Sequence, residues 1–253
     1  MNMKKIEIFS SPTALTGAAV TCFVEQAQQA IEERGRFSVA LSGGSTPRAI
    51  YQELAKPKLQ TRLDWGRIHL FWGDERHVPP DHPDSNFKMV RDALLEHISI
   101  PDMNIHRVPA ELGVQKAAVD YDAGLRAFFD GDWPQFDLVF LGMGNDGHTA
   151  SLFPYSSGLN EESRWFIANQ VPETGNWRLT LTKNAINAAR RVIILVQGES
   201  KAHMLAEVFS GPYVPDQKPI QLISPTEGDL VWMVDVGAAR DLSEDGLLKF
   251  SGS

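Results

Sequence analysis

Cysteine is nearly absent: the 253 residues contain one, Cys22. No intramolecular disulfide can form, which suits a reducing compartment. Cys22 lies in an apolar helical pattern without a cationic neighbour in sequence, and reads as core packing rather than a nucleophile. Long apolar runs are missing too, so no membrane span is expected. The first residues, MNMKKIEIF, lack the apolar stretch of a signal peptide. A soluble cytoplasmic protein is the expectation. Positive charge is in short supply: 24 Lys and Arg stand against 32 Asp and Glu, for a formal net charge of −8. That argues against general binding to nucleic acid or to an acidic membrane. An anionic small substrate then requires a local cluster of Arg and Lys. There is no G-x-S-x-G elbow for a serine nucleophile. His77 and His82 flank Pro79 and Pro80, but their spacing fits no metal-ligand pattern, so no metal is expected. Internal repeats and Gly/Ser linkers are likewise missing, and one domain spanning residues 1–253 is expected, with a frayed tail over Ser243 to Ser253.

Hydrophobic residues make up 43% of the chain, enough for a full core. Short apolar runs read as strands at Ile6–Phe9, Phe37–Leu41, Ile68–Trp72, Ile105–Val108, Phe136–Leu141, Trp165–Val171, Arg178–Leu181, Arg191–Val196 and Leu230–Val234. Helical spacing covers Thr13–Arg34, Pro47 to about Leu54, a stretch capped by Ser85 or Asn86, Gly113–Phe129 and Lys183–Ala189. Strands alternating with helices indicate an α/β fold with a mainly parallel sheet and helices on both faces.

Several loops that follow predicted strands carry unusual chemistry. Open α/β sheets build their sites at the carboxyl ends of strands. After the Phe136 run, Gly142, Gly144 and Gly147 break regular structure around Asn145, Asp146 and His148. His148 can act as a base near neutral pH, and Asp146 is close enough to orient it. One His–Asp pair in a glycine turn is more often structural. Its company lifts it. SGGSTP, Ser42 to Pro47, joins a strand to a helix; Thr46 is the expected N-cap and Pro47 the first helical residue. Exposed amides and the helix dipole favour an anion there, although no Walker A lysine follows. Asp74, Glu75 and Arg76 come directly after Trp72; a solvated charge run is the bland alternative. In QGESK, Ser200 is the expected N-cap of a helix. Lys201 then sits in its first turn, where a cation opposes the dipole unless an anion is present.

SGGSTP, WGDER at Trp72–Arg76, SNF at Ser85–Phe87, GMGNDGHTASLFP at Gly142–Pro154 and GESK at Gly198–Lys201 resemble the 6-phosphogluconolactonases, in that family's order and spacing. The likeness spans about Phe37 to Val234. It implies a Rossmann-like three-layer sandwich of the glucosamine-6-phosphate isomerase type. It also implies a cofactor-free ester hydrolase of the pentose phosphate pathway that opens 6-phospho-D-glucono-1,5-lactone to 6-phosphogluconate. By the same resemblance His148 is the general base and Asp146 sets it or meets sugar hydroxyls. Arg76, Lys201 and, more loosely, Arg178 hold the phosphate. Gly43, Gly44, Ser45, Thr46 and Asp74 meet the substrate, and the amides of Gly43, Gly44 or Gly144 are candidate oxyanion donors. A small-molecule phosphosugar lactone is thus the expected partner, for a monomer or small homo-oligomer.

Two rivals remain. A phosphosugar aldose–ketose isomerase or deaminase needs a base such as Asp74 or Glu75. The resembling isomerases also place a Glu shortly after the His, where TASLFP has no carboxylate. A non-catalytic sugar-phosphate sensor normally brings a helix-turn-helix, for which the first 36 residues offer no basic cluster.

Overall fold

The computed structural model describes residues 3–243. The tail expected to fray therefore lies outside the described residues, apart from Ser243. In chain order the elements are β1 (Lys4–Phe9), α1 (Pro12–Arg34), β2 (Phe37–Leu41), α2 (Ser45–Leu54), α3 (Pro57–Gln60), β3 (Ile68–Trp72), β4 (Asp74–Arg76), α4 (Asn86–Ala93), β5 (Ile105–His106) and α5 (Val114–Phe128). They continue with β6 (Leu138–Gly142), β7 (Phe166–Gln170), β8 (Trp177–Leu181), α6 (Lys183–Asn187), β9 (Arg191–Val196), α7 (Ala202–Ser210), β10 (Asp229–Asp235) and α8 (Val236–Ala239).

Seven strands form one sheet in the order β1-β10-β9-β6-β2-β3-β5. Every pairing in it is parallel. The central strands β2 and β6 are buried almost throughout, as expected where helices cover both faces. The chain steps one way across the sheet from β2 to β3 and β5, then returns to β6 and steps the other way to β9 and β10. With right-handed crossovers these two directions put their helices on opposite faces. The direction reverses between the neighbours β2 and β6. Such a switch point splays the two outgoing loops apart and leaves a crevice beyond the strand ends.

Local chemistry explains the element ends. Ser11 caps α1 by accepting from the Ala14 amide at 3.1 Å, and Gly35 closes it in the left-handed region at φ 78°. Ser85 caps α4 through Lys88 N at 3.1 Å. Cys22 is half-buried against the core, 3.9 Å from Arg191 Nη1, so a cation that sequence distance concealed is close in space. Burial nevertheless pushes the pKa of its thiol up, away from the thiolate form that a nucleophile needs.

Three expectations need correction. The Asp74–Arg76 charge run is no loop; it is the strand β4, antiparallel to β8. The strands around PETGN do not join the large sheet. They form the hairpin β7–β8, which with β4 makes a separate three-stranded sheet. Gly73 carries the chain from one sheet to the other: its N–H donates to Leu41 O and its carbonyl accepts from Leu181 N, both at 2.8 Å. Finally, α2 starts earlier than a Pro47 start implies. Gly44 is its N-cap, at φ 105°, and Thr46 lies inside the first turn.

Candidate active site

A cleft of about 430 Å³ opens at the switch point. Gly43, Gly44, Ser45, Thr46, Asp74, Arg76, His148, Arg178 and Lys201 all line it. Asp146 alone of the expected site residues stands outside the lining, behind His148.

The loop after β2 forms one wall. The buried hydroxyl of Tyr51 accepts from Ser42 N at 3.1 Å and donates to Ser42 O at 3.0 Å, which ties the loop to its own helix. Gly44 is required by its positive φ rather than by crowding, since a side chain there would meet only Pro47 Cδ, at 3.8 Å. The tight position is Gly43, where a Cβ would overlap the Asn86 side chain. The Ser45 and Thr46 amides, at the N-terminus of α2, have no acceptor among the described residues. Thr46 Oγ1 caps nothing; it donates to Gln197 Oε1 at 3.2 Å and so links the loops after β2 and β9.

β4 and β8 form the second wall. Arg76 and Arg178 are direct partners across this antiparallel pair. Each guanidinium donates to a carbonyl, Arg76 Nη1 to Asp84 O at 2.6 Å and Arg178 Nη1 to Trp177 O at 3.2 Å. Neither has a carboxylate at ion-pair distance among the described residues. Burial and then the charge of Arg76 pull the Arg178 pKa down, against the nearby acids Asp74, Asp84 and Glu75. Asp74 is buried at the base, with Oδ2 accepting from Ser151 Oγ at 2.7 Å and its carbonyl accepting from Asn86 Nδ2 at 2.9 Å. Glu75 is buried more deeply and does not reach the cleft lining.

The third wall is the turn after β6. Gly144 N donates to His148 O at 2.8 Å, and Thr149 Oγ1 donates to Gly142 O at 2.8 Å. The Gly144 amide is therefore engaged and drops out as an oxyanion donor. Gly147, at φ 80°, makes the tight return. Asp146 Oδ1 lies 2.6 Å from His148 Nδ1 and accepts from His148 N at 3.1 Å. A carboxylate can only accept, so Nδ1 donates to it and Nε2 is the ring nitrogen available to act as a base when the ring is neutral. Burial pushes the Asp146 pKa up, but the hydrogen bond and charge of His148 outweigh it and hold the group below the usual range. Phe153 packs on the His148 ring with centroids 4.4 Å apart. Behind the turn, Ile220 N donates to Gly147 O at 3.0 Å and Tyr155 N to Asp216 O at 2.9 Å.

Lys201 closes the cleft from the loop after β9. Gly198, at φ 91°, starts a short 3₁₀ turn over Glu199–Lys201, and no side chain caps it, so Ser200 is not the expected N-cap. Burial lowers the Lys201 pKa, against the attraction of Asp146. A partly desolvated ammonium with no carboxylate at ion-pair distance among the described residues is a group set out for an anion.

Sequence reasoning missed Asn86, Ser151, Phe153 and Gln197. The first three lie inside motif stretches but were given no role in the site, Asn86 being read only as a possible helix cap. The signal for Asn86 was the paired glycine opposite it, which leaves room for its amide.

Comparison with known proteins shows the family. The family described as glucosamine-6-phosphate isomerases/6-phosphogluconolactonase matches residues 10–232. A 6-phosphogluconolactonase of Synechocystis sp. is 41% identical over 242 residues, covering 94% of this chain and 98% of that protein. One from Nostoc sp. is 41% identical over 244 residues, 95% and 99% of the two chains. The solved 6-phosphogluconolactonase of Thermotoga maritima superposes with a TM-score of 0.80 at 31% identity, covering 92% of this chain and 99% of that one. Matched over most of its length by the family and by relatives at 41% identity, the chain belongs to the glucosamine-6-phosphate isomerase/6-phosphogluconolactonase family.

Proposed function

We propose that this protein hydrolyses 6-phospho-D-glucono-1,5-lactone to 6-phospho-D-gluconate, with His148 as the general base. The observation that carries the reading is an imidazole oriented by Asp146, in one cleft with three cations that have no carboxylate at ion-pair distance among the described residues. A lactone is an activated ester, so water and a base suffice. Nε2 of His148 takes a proton from water as the oxygen attacks C1. The imidazolium that forms is stabilised by Asp146. As the tetrahedral adduct collapses, the bond from C1 to the ring oxygen breaks and His148 returns its proton to that oxygen. Arg76 and Arg178 on one wall and Lys201 on the other hold the phosphate, helped by the free amides of Ser45 and Thr46. Asp74, with Oδ2 taken by Ser151, accepts from a sugar hydroxyl and orients the ring. The reaction uses no metal, nucleic acid or membrane, and the same reading places a single domain in the cytoplasm as a monomer or small homo-oligomer. The acidic net charge supports the exclusion of polyanions.

The isomerase reading is weaker. Glu75 is consumed by main-chain amides, and TASLFP supplies no carboxylate beside His148. Three variants test the phosphate assignment. Arg76→Ala, Arg178→Ala and Lys201→Ala each lose about 10- to 100-fold in kcat/KM on the phosphorylated lactone, the usual scale of a charge-assisted contact. On plain D-glucono-1,5-lactone they match the wild type. If all three keep the wild-type preference between the two lactones, the phosphate lies elsewhere.

A further inference from the structure

Glu75 is a buried carboxylate for which the chemistry above has no use. Its residue is 2% exposed, and no cation lies at ion-pair distance among the described residues. Four donors satisfy it instead. Oε1 accepts from Arg76 N at 2.7 Å and Asn86 N at 2.8 Å. Oε2 accepts from Phe87 N at 2.8 Å and Ser85 Oγ at 3.2 Å. Burying an unpaired carboxylate costs free energy unless hydrogen bonds and local dipoles replace its water. Here the replacement is the N-terminus of α4, whose first amides and dipole both favour a negative charge. Burial, helped by the nearby charge of Asp74, raises the Glu75 pKa, and the three amide bonds offset this only in part.

What this carboxylate joins gives it a role. On one side is β4, which carries Arg76. On the other is the segment at the end of the loop from His77 to Asp84. Two further bonds run between the same two segments: Arg76 Nη1 donates to Asp84 O at 2.6 Å, and Asn86 Nδ2 donates to Asp74 O at 2.9 Å. Arg76 and Asn86 line the cleft, and the Asn86 amide fills the space that Gly43 leaves. The loop between the segments is polar and carries three prolines, at Pro79, Pro80 and Pro83, so it has little apolar contact of its own to hold the spacing. None of these bonds reaches the His148 turn.

We propose that Glu75 is a positioning residue for the phosphate end of the cleft: its carboxylate staples the start of α4 to β4 and thereby sets the guanidinium of Arg76. This rests on the proposed lactonase function, and it deepens that reading by separating the residue that aims the phosphate ligand from the residues that do chemistry. Loss of the charge lets the start of α4 drift, which moves Arg76 while leaving His148 and Asp146 in place.

The test is Glu75→Gln, which keeps the shape but loses the charge and turns an N–H toward the main-chain amides. The expected result is a KM for the phosphorylated lactone raised about tenfold, the scale of one misdirected charge-assisted contact, with kcat within about twofold. On plain gluconolactone both constants stay at wild-type values. Glu75→Asp, which restores the charge with a shorter reach, recovers part of the KM. Ser85→Ala removes one donor and moves KM the same way by less; it carries the test if Glu75→Gln does not fold. A lowered Tm with an unchanged preference between the two lactones overturns the proposal and leaves Glu75 a helix cap only. An equal fall of kcat on both lactones overturns it too, by making Glu75 part of the chemistry. If the wild type opens neither lactone, the proposed function fails instead. Glu75 is then read from thermal protection by inorganic phosphate, which is present in the wild type and lost in Glu75→Gln if the staple aims Arg76, and equal in both if it does not.

Discussion

Replacing His148 by Asn lowers kcat on 6-phosphogluconolactone by about two to four orders of magnitude, the usual contribution of a positioned general base. Binding of 6-phosphogluconate changes little, because Arg76 on β4, Arg178 on β8, Lys201 and the α2 amides all lie outside the His148 turn. Asn is the apt replacement: its side chain is polar and can still donate toward Asp146, so the turn keeps its hydrogen bond while the basic nitrogen facing the cleft is gone. The check is steady-state turnover with spontaneous lactone opening subtracted, beside a thermal-shift titration with the product. Near-normal turnover removes His148 from the base role. Turnover that survives in His148→Asn and vanishes only when Asp74 is also changed moves the base to β4 and favours isomerase-like chemistry.

Gly144→Ala has an effect of similar size without touching a reactive group. A Cβ at this position overlaps Nδ1 and Cε1 of His148 and Oδ1 of Asp146. All three belong to the pair that makes Nε2 a base. The side chains cannot both stay, because Gly144 N is itself bound to His148 O and the backbone has no freedom to retreat. Displacement of a catalytic group by about an ångström costs about a hundredfold in rate, and here base and orienter are displaced together. Turnover therefore falls by about a hundredfold or more, with product affinity near that of the wild type. Activity within about twofold of wild type shows that the pair does not need the geometry described. The contrast with Gly44 is instructive. There the demand comes from a positive φ, with open space around the position.

Much of this was legible in the chain itself. β9 spans Arg191–Val196 and β3 spans Ile68–Trp72, as their apolar runs indicate, because strands buried on both faces leave few polar positions, here only Arg191 and His69, to confuse the period. The stretches bearing His148, Arg76 and Lys201 were legible because glycines and turn residues punctuate the chain directly after β6, β3 and β9. What stayed hidden depends on partners far away in sequence. Asp74 and Glu75 look like solvated charges locally. They are buried because Ser151, Asn86 and the α4 amides satisfy them and because β8 pairs with their backbone. Thr46 followed a sound local rule for a cap before proline. The rule lost because Gly44 starts the helix earlier and Gln197 occupies the hydroxyl. The bracing of Gly147 by Ile220 has no local signature at all.

The most direct test sets two substrates against each other with the unmodified protein. Freshly made 6-phosphogluconolactone is followed by a coupled assay for 6-phosphogluconate, and glucosamine 6-phosphate by release of ammonia and formation of ketose phosphate. The account predicts that the lactone opens far faster than its spontaneous rate, and that glucosamine 6-phosphate yields no ketose. Ketose formation from glucosamine 6-phosphate, with the lactone opening only at its spontaneous rate, contradicts it.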